Sequence, residues 1–528
     1  MSRRRLIVVG LLVVALAGGV YLLARGGDGS QQRAAVADPL AEALSYAPAA
    51  SPVVAQFDVQ PGSQQGNALR ELSWTFPAAR FAADGVRSAV QTLGFDADED
   101  LPSLLGGPIV VSGPASAARG LSASISSLQL DLAAIVRAGA TAVVVGRSDD
   151  DVEAVLARAT RDGRLRKLTD LASGTTQYAL PDDAARLGVR DGTLVLGAET
   201  ATLKRAFALH DAQGGLTRTT FDARLGPLAR VPALIRATAQ PRALVSSRAH
   251  GVPWVDALRS GALAVAIQKP GVRLRIHLAT DPSKVQASDL PLAPGAAQPR
   301  PAPGARPIDA AVRGLDQTIR VLDATKGGLD LPFLDPVFRA LSTLDSVKVP
   351  LKTFGRIDVD AALIDQLTGT TTITPEGGNT VAVRAELQDG DPLRTALNRI
   401  AAVPDFVVKL AGVELNVAHH GDTYTITKDG KATMNVAVVD KTLVVTNDLK
   451  ADLRAIASRK PAARPKATNN PGALSLHVGG RALQDELVTR LHLPDLARLV
   501  LGGFGDIDGS ARAERSGVDL DATLTLEE

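Results

Sequence analysis

Gly188–Ala208 reads GVRDGTLVLGAETATLKRAFA, and Ala437–Ala457 reads AVVDKTLVVTNDLKADLRAIA. At one constant offset the two segments share Val189/Val438, Asp191/Asp440, Thr193/Thr442, Leu194/Leu443, Val195/Val444, Arg205/Arg454, Ala206/Ala455 and Ala208/Ala457. Both predict a strand, a tight turn at Asp-Gly or Asp-Lys, a second strand and an amphipathic helix. Self-similarity at a long, fixed period marks a chain built from copies of one unit.

Other pairs keep the same order. Phe95-Asp96-Ala97-Asp98 precedes Leu101, Leu105 and Gly107, and Ile357-Asp358-Val359-Asp360 precedes Leu363, Leu367 and Gly369. Each reads as a short helix capped by Asp98 or Asp360, stopped by glycine and followed by a strand at Ile109–Val111 or Thr371–Thr374. Each half closes in a hairpin, with Val272, Leu274, Ile276 and Leu278 alternating in one and Val518, Leu520, Ala522 and Leu524 in the other. Alternation of this kind suggests antiparallel sheet with one covered face. The expected fold class is therefore α+β: two related domains, each a curved antiparallel sheet with helices packed on one side. The prolines between Pro291 and Pro307 block helix and sheet and predict an extended spacer. The expected domains are residues 38–285 and 307–528, joined by a linker at 286–306.

Outward from these halves lies a different kind of segment. Leu6–Ala24 is an uncharged apolar run, preceded by Arg3, Arg4 and Arg5. Its length is close to the roughly 20 residues of a membrane-spanning helix. Positive charge stays cytoplasmic, so residues 1–25 read as a transmembrane signal anchor and 26–37 as a linker to an extracytoplasmic body. The rival reading is a cleaved signal peptide, whose apolar core runs about 7–15 residues to a small-x-small site. Leu22-Leu23-Ala24-Arg25 fits such a site poorly.

The composition excludes several functions. Lys+Arg 58 against Asp+Glu 56 gives a net charge of +2, too little to draw nucleic acid. Aromatic content of 3% supplies few stacking platforms for bases. Zero cysteines removes disulfides, thiolate metal sites and cysteine nucleophiles.

No motif for catalysis, phosphate binding or metal chelation is recognised, so no catalytic, cofactor-binding or metal residue is assigned. Asp96–Asp100 fails as a calcium loop, because Leu101 and Gly107 stand where glycine and glutamate are needed. His419-His420 reads as a solvated turn, since strand neighbours point to opposite faces. His277 and His477 read as hydrogen-bonded strand residues. Gly502-Gly503-Phe504-Gly505 precedes a strand and cannot serve as a dinucleotide loop. Arg459, Lys460, Arg464 and Lys466 form a basic loop, solvated or touching an anionic envelope surface.

The anchor, the opening strand from Pro48 to Asp58 and LGFDADEDLPSLLGGPIVV at Leu93–Val111 together resemble the bacterial family known as domain of unknown function 3352. The resemblance covers most of residues 40–528. It implies an anchored, extracytoplasmic protein and supplies no activity, cofactor or catalytic residue. The expectation is a non-enzymatic binding or structural protein of the bacterial cell envelope, membrane-bound through residues 6–24, taking an apolar ligand, a lipid or an envelope protein as partner. The alternatives are a hydrolase with an unrecognised site and a scaffold without a pocket. Protease added to intact spheroplasts is expected to degrade everything beyond about residue 40. A fully protected C-terminus would reverse the orientation.

Overall fold

The computed structural model describes residues 37–528 except 59, 61, 76–93, 97–98, 117–131, 172–173, 242–244, 246–248, 270, 300–307, 327–334, 378–379, 403–414, 429–430, 462–471, 481–503 and 527–528. The anchor run at residues 6–24 and its linker lie outside the described residues. Among the described residues, no helix is long and apolar enough to cross a membrane.

The fold is α+β, built on one large antiparallel sheet. Its first ten strands are β1 (Val53–Phe57), β2 (Ile109–Gly113), β3 (Thr141–Val145), β4 (Arg166–Lys167), β5 (Thr176–Ala179), β6 (Arg186–Arg190), β7 (Thr193–Gly197), β8 (Ile235–Ala239), β9 (Leu258–Gln268) and β10 (Gly271–Thr280). The next ten are β11 (Ile308–Arg313), β12 (Thr370–Gly377), β13 (Thr380–Glu386), β14 (Leu415–His420), β15 (Thr423–Lys428), β16 (Lys431–Val439), β17 (Thr442–Thr446), β18 (Leu474–Val478), β19 (Phe504–Glu514) and β20 (Gly517–Leu526).

From one edge, the first ten run β4-β5-β6-β7-β3-β2-β1-β8-β9-β10. From the opposite edge, the others run β14-β15-β16-β17-β13-β12-β11-β18-β19-β20. The two successions correspond strand for strand. Thr193–Val195 lies in β7 and Thr442–Val444 in β17, which hold the same place in each. The quoted segments form hairpins turning at Asp191-Gly192 and Asp440-Lys441. Asp191, Gly192 and Asp440 have positive φ (47°, 69° and 50°), which two-residue hairpin turns require.

The successions meet where β10 pairs with β20. Nine residue pairs run from Gly271↔Thr525 to Ala279↔Gly517, so the first residue of each strand faces the ninth of the other. Arg275 and Asp521, the fifth residue of each strand, face one another at the centre of a local two-fold arrangement.

Helices cover both faces of the first half, not one side. Leu69 of Gln64–Thr75 and Val152, Val155 and Leu156 of Asp149–Arg161 pack on Leu194, Ile235 and Val265. Leu44 of Pro39–Ser45, Leu203 and Phe207 of Thr200–Asp211 and Phe221 of Arg218–Leu225 pack on Val54, Val143 and Val195 of the opposite face. Tertiary packing decides this: the strands are apolar on both sides, so each face buries against its own helices. In the second half, Leu393 and Leu397 of Asp391–Ala402 pack on Val436 and Leu443. Leu453 and Ile456 of Leu453–Ala457 pack on Ala382 and Val444. The helix Asp149–Arg161 shows why these segments are helical. Ser148 caps it by accepting from the Asp151 amide at 3.1 Å. Acidic residues fill its first turn and Arg158 and Arg161 its last, matching the helix dipole.

As far as residue 299 the proline-rich stretch packs where an extended spacer was expected, and residues 300–307 lie outside the described residues. Leu290 is 1% and Leu292 8% exposed, and both join Trp254, Ala511 and Leu520 in one core. Its carbonyls also find partners: the Gln317 amide donates to Ala287 O at 2.7 Å and Leu290 O at 2.8 Å. Proline removes regular structure but not the need to satisfy backbone and bury leucine. Leu290→Ala is expected to cost about 2–5 kcal/mol in denaturant unfolding, as for a buried core leucine. No change would make this stretch the free spacer that its prolines suggest.

Candidate functional site

The seam has two chemically distinct faces, because side chains alternate along β10 and β20. On one face Val272, Leu274, Ile276 and Leu278 lie opposite Leu524, Ala522, Leu520 and Val518. On the other, Arg273, Arg275 and His277 lie opposite Thr523, Asp521 and Asp519.

The polar face is a row of charge-assisted contacts tying the halves together. Arg273 makes a two-pronged ion pair with Asp521, its Nε lying 2.8 Å from the carboxylate. His277 Nδ1 lies 2.7 Å from Asp519 Oδ1, and Arg512 donates to Asp519 Oδ2 at 3.1 and 3.2 Å. Further along, His477 Nδ1 lies 2.8 Å from Asp508 Oδ1. Both strand histidines thus have carboxylate partners.

The apolar face is half-buried at Leu274, Ile276, Leu520, Ala522 and Leu524. Strand register extends it across the second half. Leu274, Ala522, Gly509, Leu476, Ala310, Ile373 and Val383 are successive cross-strand neighbours on β10, β20, β19, β18, β11, β12 and β13. Leu476, Ala310 and Val383 are half-buried, and Ile373 is 45% exposed. On the first-half side the same row continues through Val265, Ile235 and Phe57, covered by the Leu69 core.

A cleft of about 480 Å³ opens beside the β9–β10 tip. Gln64, Asn67, Glu71, Gln268 and Lys269 line it, and Lys269 pairs with Glu71 at 2.5 Å. Its volume suits a ligand pocket of roughly 300–1,000 Å³, and Ala68, Pro232 and Ile267 stand among these polar groups in its wall.

The other sequence candidates are engaged in structure. Asp100 is fully buried and pairs with Arg158 and, at 3.0 Å, Arg164, while Asp96 accepts from the Glu99 amide. Asp98, expected as a cap, lies outside the described residues. In the second half the cap is Asp358, accepting from Ala361 N at 3.4 Å. Asp360, expected in that role, sits in the first turn and pairs with Lys348 at 2.7 Å, because the helix begins two residues earlier. His419 and His420 end β14 and are exposed, and the His419 ring stacks on Tyr424 at 4.5 Å. Arg459 is not a solvated cation. It grips Glu376 at 2.6 and 2.7 Å, each side chain 11% exposed. Lys460 precedes residues outside the description, where Arg464 and Lys466 lie. Among the described residues, no group of three or more histidine and acidic side chains is placed to hold a metal ion.

Sequence reasoning missed one polar cluster. Ser45 Oγ lies 2.6 Å from His210 Nδ1, and Glu42 Oε1 lies 3.8 Å from that same nitrogen. Both oxygens converge on one ring atom, so the set has no relay from acid through imidazole to hydroxyl. Tyr46 stacks on His210 at 4.3 Å, and burial, reinforced by Glu42, pushes its phenol up to about 12. These contacts clasp Pro39–Ser45 to Thr200–Asp211. No local signal in the sequence joins residues so far apart.

No family model and no curated protein matches the chain. Among solved structures, crystal form IV of TP0453 is similar at 8% identity and a TM-score of 0.25, covering 42% of this chain and 77% of that one. Crystal form III gives 9% identity and a TM-score of 0.24, covering 48% and 83%. Likeness at this level carries no functional argument.

The His277 hydrogen bond holds the Asp519 carboxyl below its ordinary value of 3.8, against desolvation and with help from Arg512. A lowered folded-state value means that the carboxylate stabilises above the unfolded value. That stabilisation is lost as pH falls through the folded value. Asp519→Asn is expected to cost about 1 kcal/mol near pH 7, discounted for partial exposure, with the gap closing below about pH 4. Urea unfolding at several pH values checks this. A gap that persists unchanged at pH 3 would assign Asp519 a role without charge.

Proposed function

We propose that the chain is a membrane-anchored, extracytoplasmic, non-enzymatic binding protein of the bacterial cell envelope, built as two copies of one fold. It takes an apolar ligand, a membrane lipid, on the apolar face of the seam. One observation carries this reading: on the cross-strand row from Leu274 to Val383, Ala522, Leu476 and Ala310 are half-buried and Ile373 is 45% exposed, about a buried Gly509. Contiguous exposed apolar surface on a soluble body marks an interaction site.

The matching strand successions and eight shared residues support duplication. The arginines before Leu6 and the resemblance to domain of unknown function 3352 support anchoring and orientation. The aspartates and histidines of the opposite face are bonded into the seam, which favours binding over hydrolysis. Extraction from native membranes, followed by mass spectrometry under non-denaturing conditions, is expected to show a stoichiometric lipid on the protein. A protein that emerges free of any apolar molecule would replace this reading with a scaffold that presents the sheet to a partner protein.

A further inference from the structure

β10 and β20 hold the same place in the two strand successions. β10 reads GVRLRIHLAT and β20 reads GVDLDATLTL. The first, second, fourth and eighth residues are identical: Gly271 and Gly517, Val272 and Val518, Leu274 and Leu520, Leu278 and Leu524. The third and fifth are opposite in charge. Arg273 and Arg275 stand in one strand where Asp519 and Asp521 stand in the other. The two strands thus share the aliphatic face of the seam and invert its polar face.

The charges are matched across the seam. Arg273 and Arg275 both reach Asp521, the latter with its Nε at 3.8 Å. Within the first half, β9 sets Ala266, Ala264 and Ala262 opposite Arg273, Arg275 and His277. Within the second, β19 sets Arg512 opposite Asp519 and Ser510 opposite Asp521. The neighbouring strand therefore offers no acid directly opposite the arginines and no cation directly opposite Asp521. The other half supplies both. Arg273, Arg275 and Asp521 are 34–36% exposed, so salt can screen them.

The register defines what a wrong pairing would meet. The seam sets the first residue of each strand against the ninth of the other, so the fifth residues face one another. Either strand laid on a second copy of itself in that register makes a symmetric contact. For β10 this sets Arg275 against Arg275 and Arg273 against His277. For β20 it sets Asp521 against Asp521. Like charges directly opposite on neighbouring strands are destabilising. We infer that the inverted charges at Arg273, Arg275 and Asp521 choose the partner of the seam: each edge takes the edge of the other half and turns away a second copy of itself. The pairing rule holds whatever the apolar face binds. Backbone bonds and shared aliphatic residues alone would let chains join like to like. Each chain has two such edges, so the product would be an open-ended array. Repulsion built against the wrong partner is how an interface of this kind gains specificity.

The test uses the full-length protein in detergent. Arg273→Asp with Arg275→Asp gives β10 the acids of β20, so the seam imitates β20 on its own copy. Asp521→Arg sets arginine against Arg275 and imitates β10 on its own copy. Each variant is expected to unfold a few degrees below wild type at low salt, with the loss shrinking at high salt. All three substitutions in one chain reverse the charges together and are expected to recover about half or more of either loss. Midpoints that do not move in either variant overturn the inference. Losses that salt leaves unchanged overturn it too, because they assign these residues a steric role. A triple variant as unstable as its parents does the same. If the parents are too unstable to isolate, the triple variant decides alone. A midpoint near that of wild type supports the pairing rule, and a chain that fails to fold overturns it.

Discussion

Nine backbone pairs between β10 and β20 make one sheet out of two. Each strand offers the other the same edge in reverse, so every bond made by one half is repeated by its counterpart. The edge strands of two separate sheets would each leave a row of unpaired amides and carbonyls, a standing invitation to aggregation. Fusing them removes both edges at once. What remains outermost is β4, two residues long and carrying Arg166 and Lys167, and β14, ending in His419 and His420. A short, cationic edge such as β4 is a poor template for another strand.

The seam also sorts chemistry by face. Alternation sends arginine, histidine and aspartate to one side and aliphatic residues to the other. On the polar side, Arg273, His277 and Arg512 each meet a carboxylate from across or beside the seam, so association of the halves and neutralisation of charge are one event. On the apolar side, helices pack over the first half, and among the described residues no packed core takes in Leu476, Ala310 or Ile373 of the second. The linker reinforces this asymmetry. Leu290 joins Ala511 and Leu520 in one core, which covers the flank next to the buried Gly509.

Much of the fold was legible from residue pattern. Turn chemistry at Asp191-Gly192, period-two alternation in β10 and β20 and the helix after β7 each follow from neighbours in sequence, and each lies where the pattern puts it. The departures come from contacts between distant segments. Asp360 and Asp358 both satisfy capping rules, and only the backbone path selects Asp358. Proline content predicts an absence of regular structure, and Gln317 supplies the bonds that let that irregular stretch pack. Arg459 sits in a basic run, yet Glu376 takes it out of solvent.

By itself, the sequence determined element type, strand polarity, the correspondence of the two halves and the lack of familiar catalytic motifs. All of these rest on local periodicity, turn residues and composition. Only the tertiary structure decided that β10 and β20 join edge to edge, that helices cover both faces of the first half, and that Ser45 meets His210. It also set Gly509 opposite Ala522 and beside Leu476, one row made from residues on three strands. Cross-strand register is fixed by backbone pairing over long loops, and no local pattern in the chain encodes which strand will lie beside which.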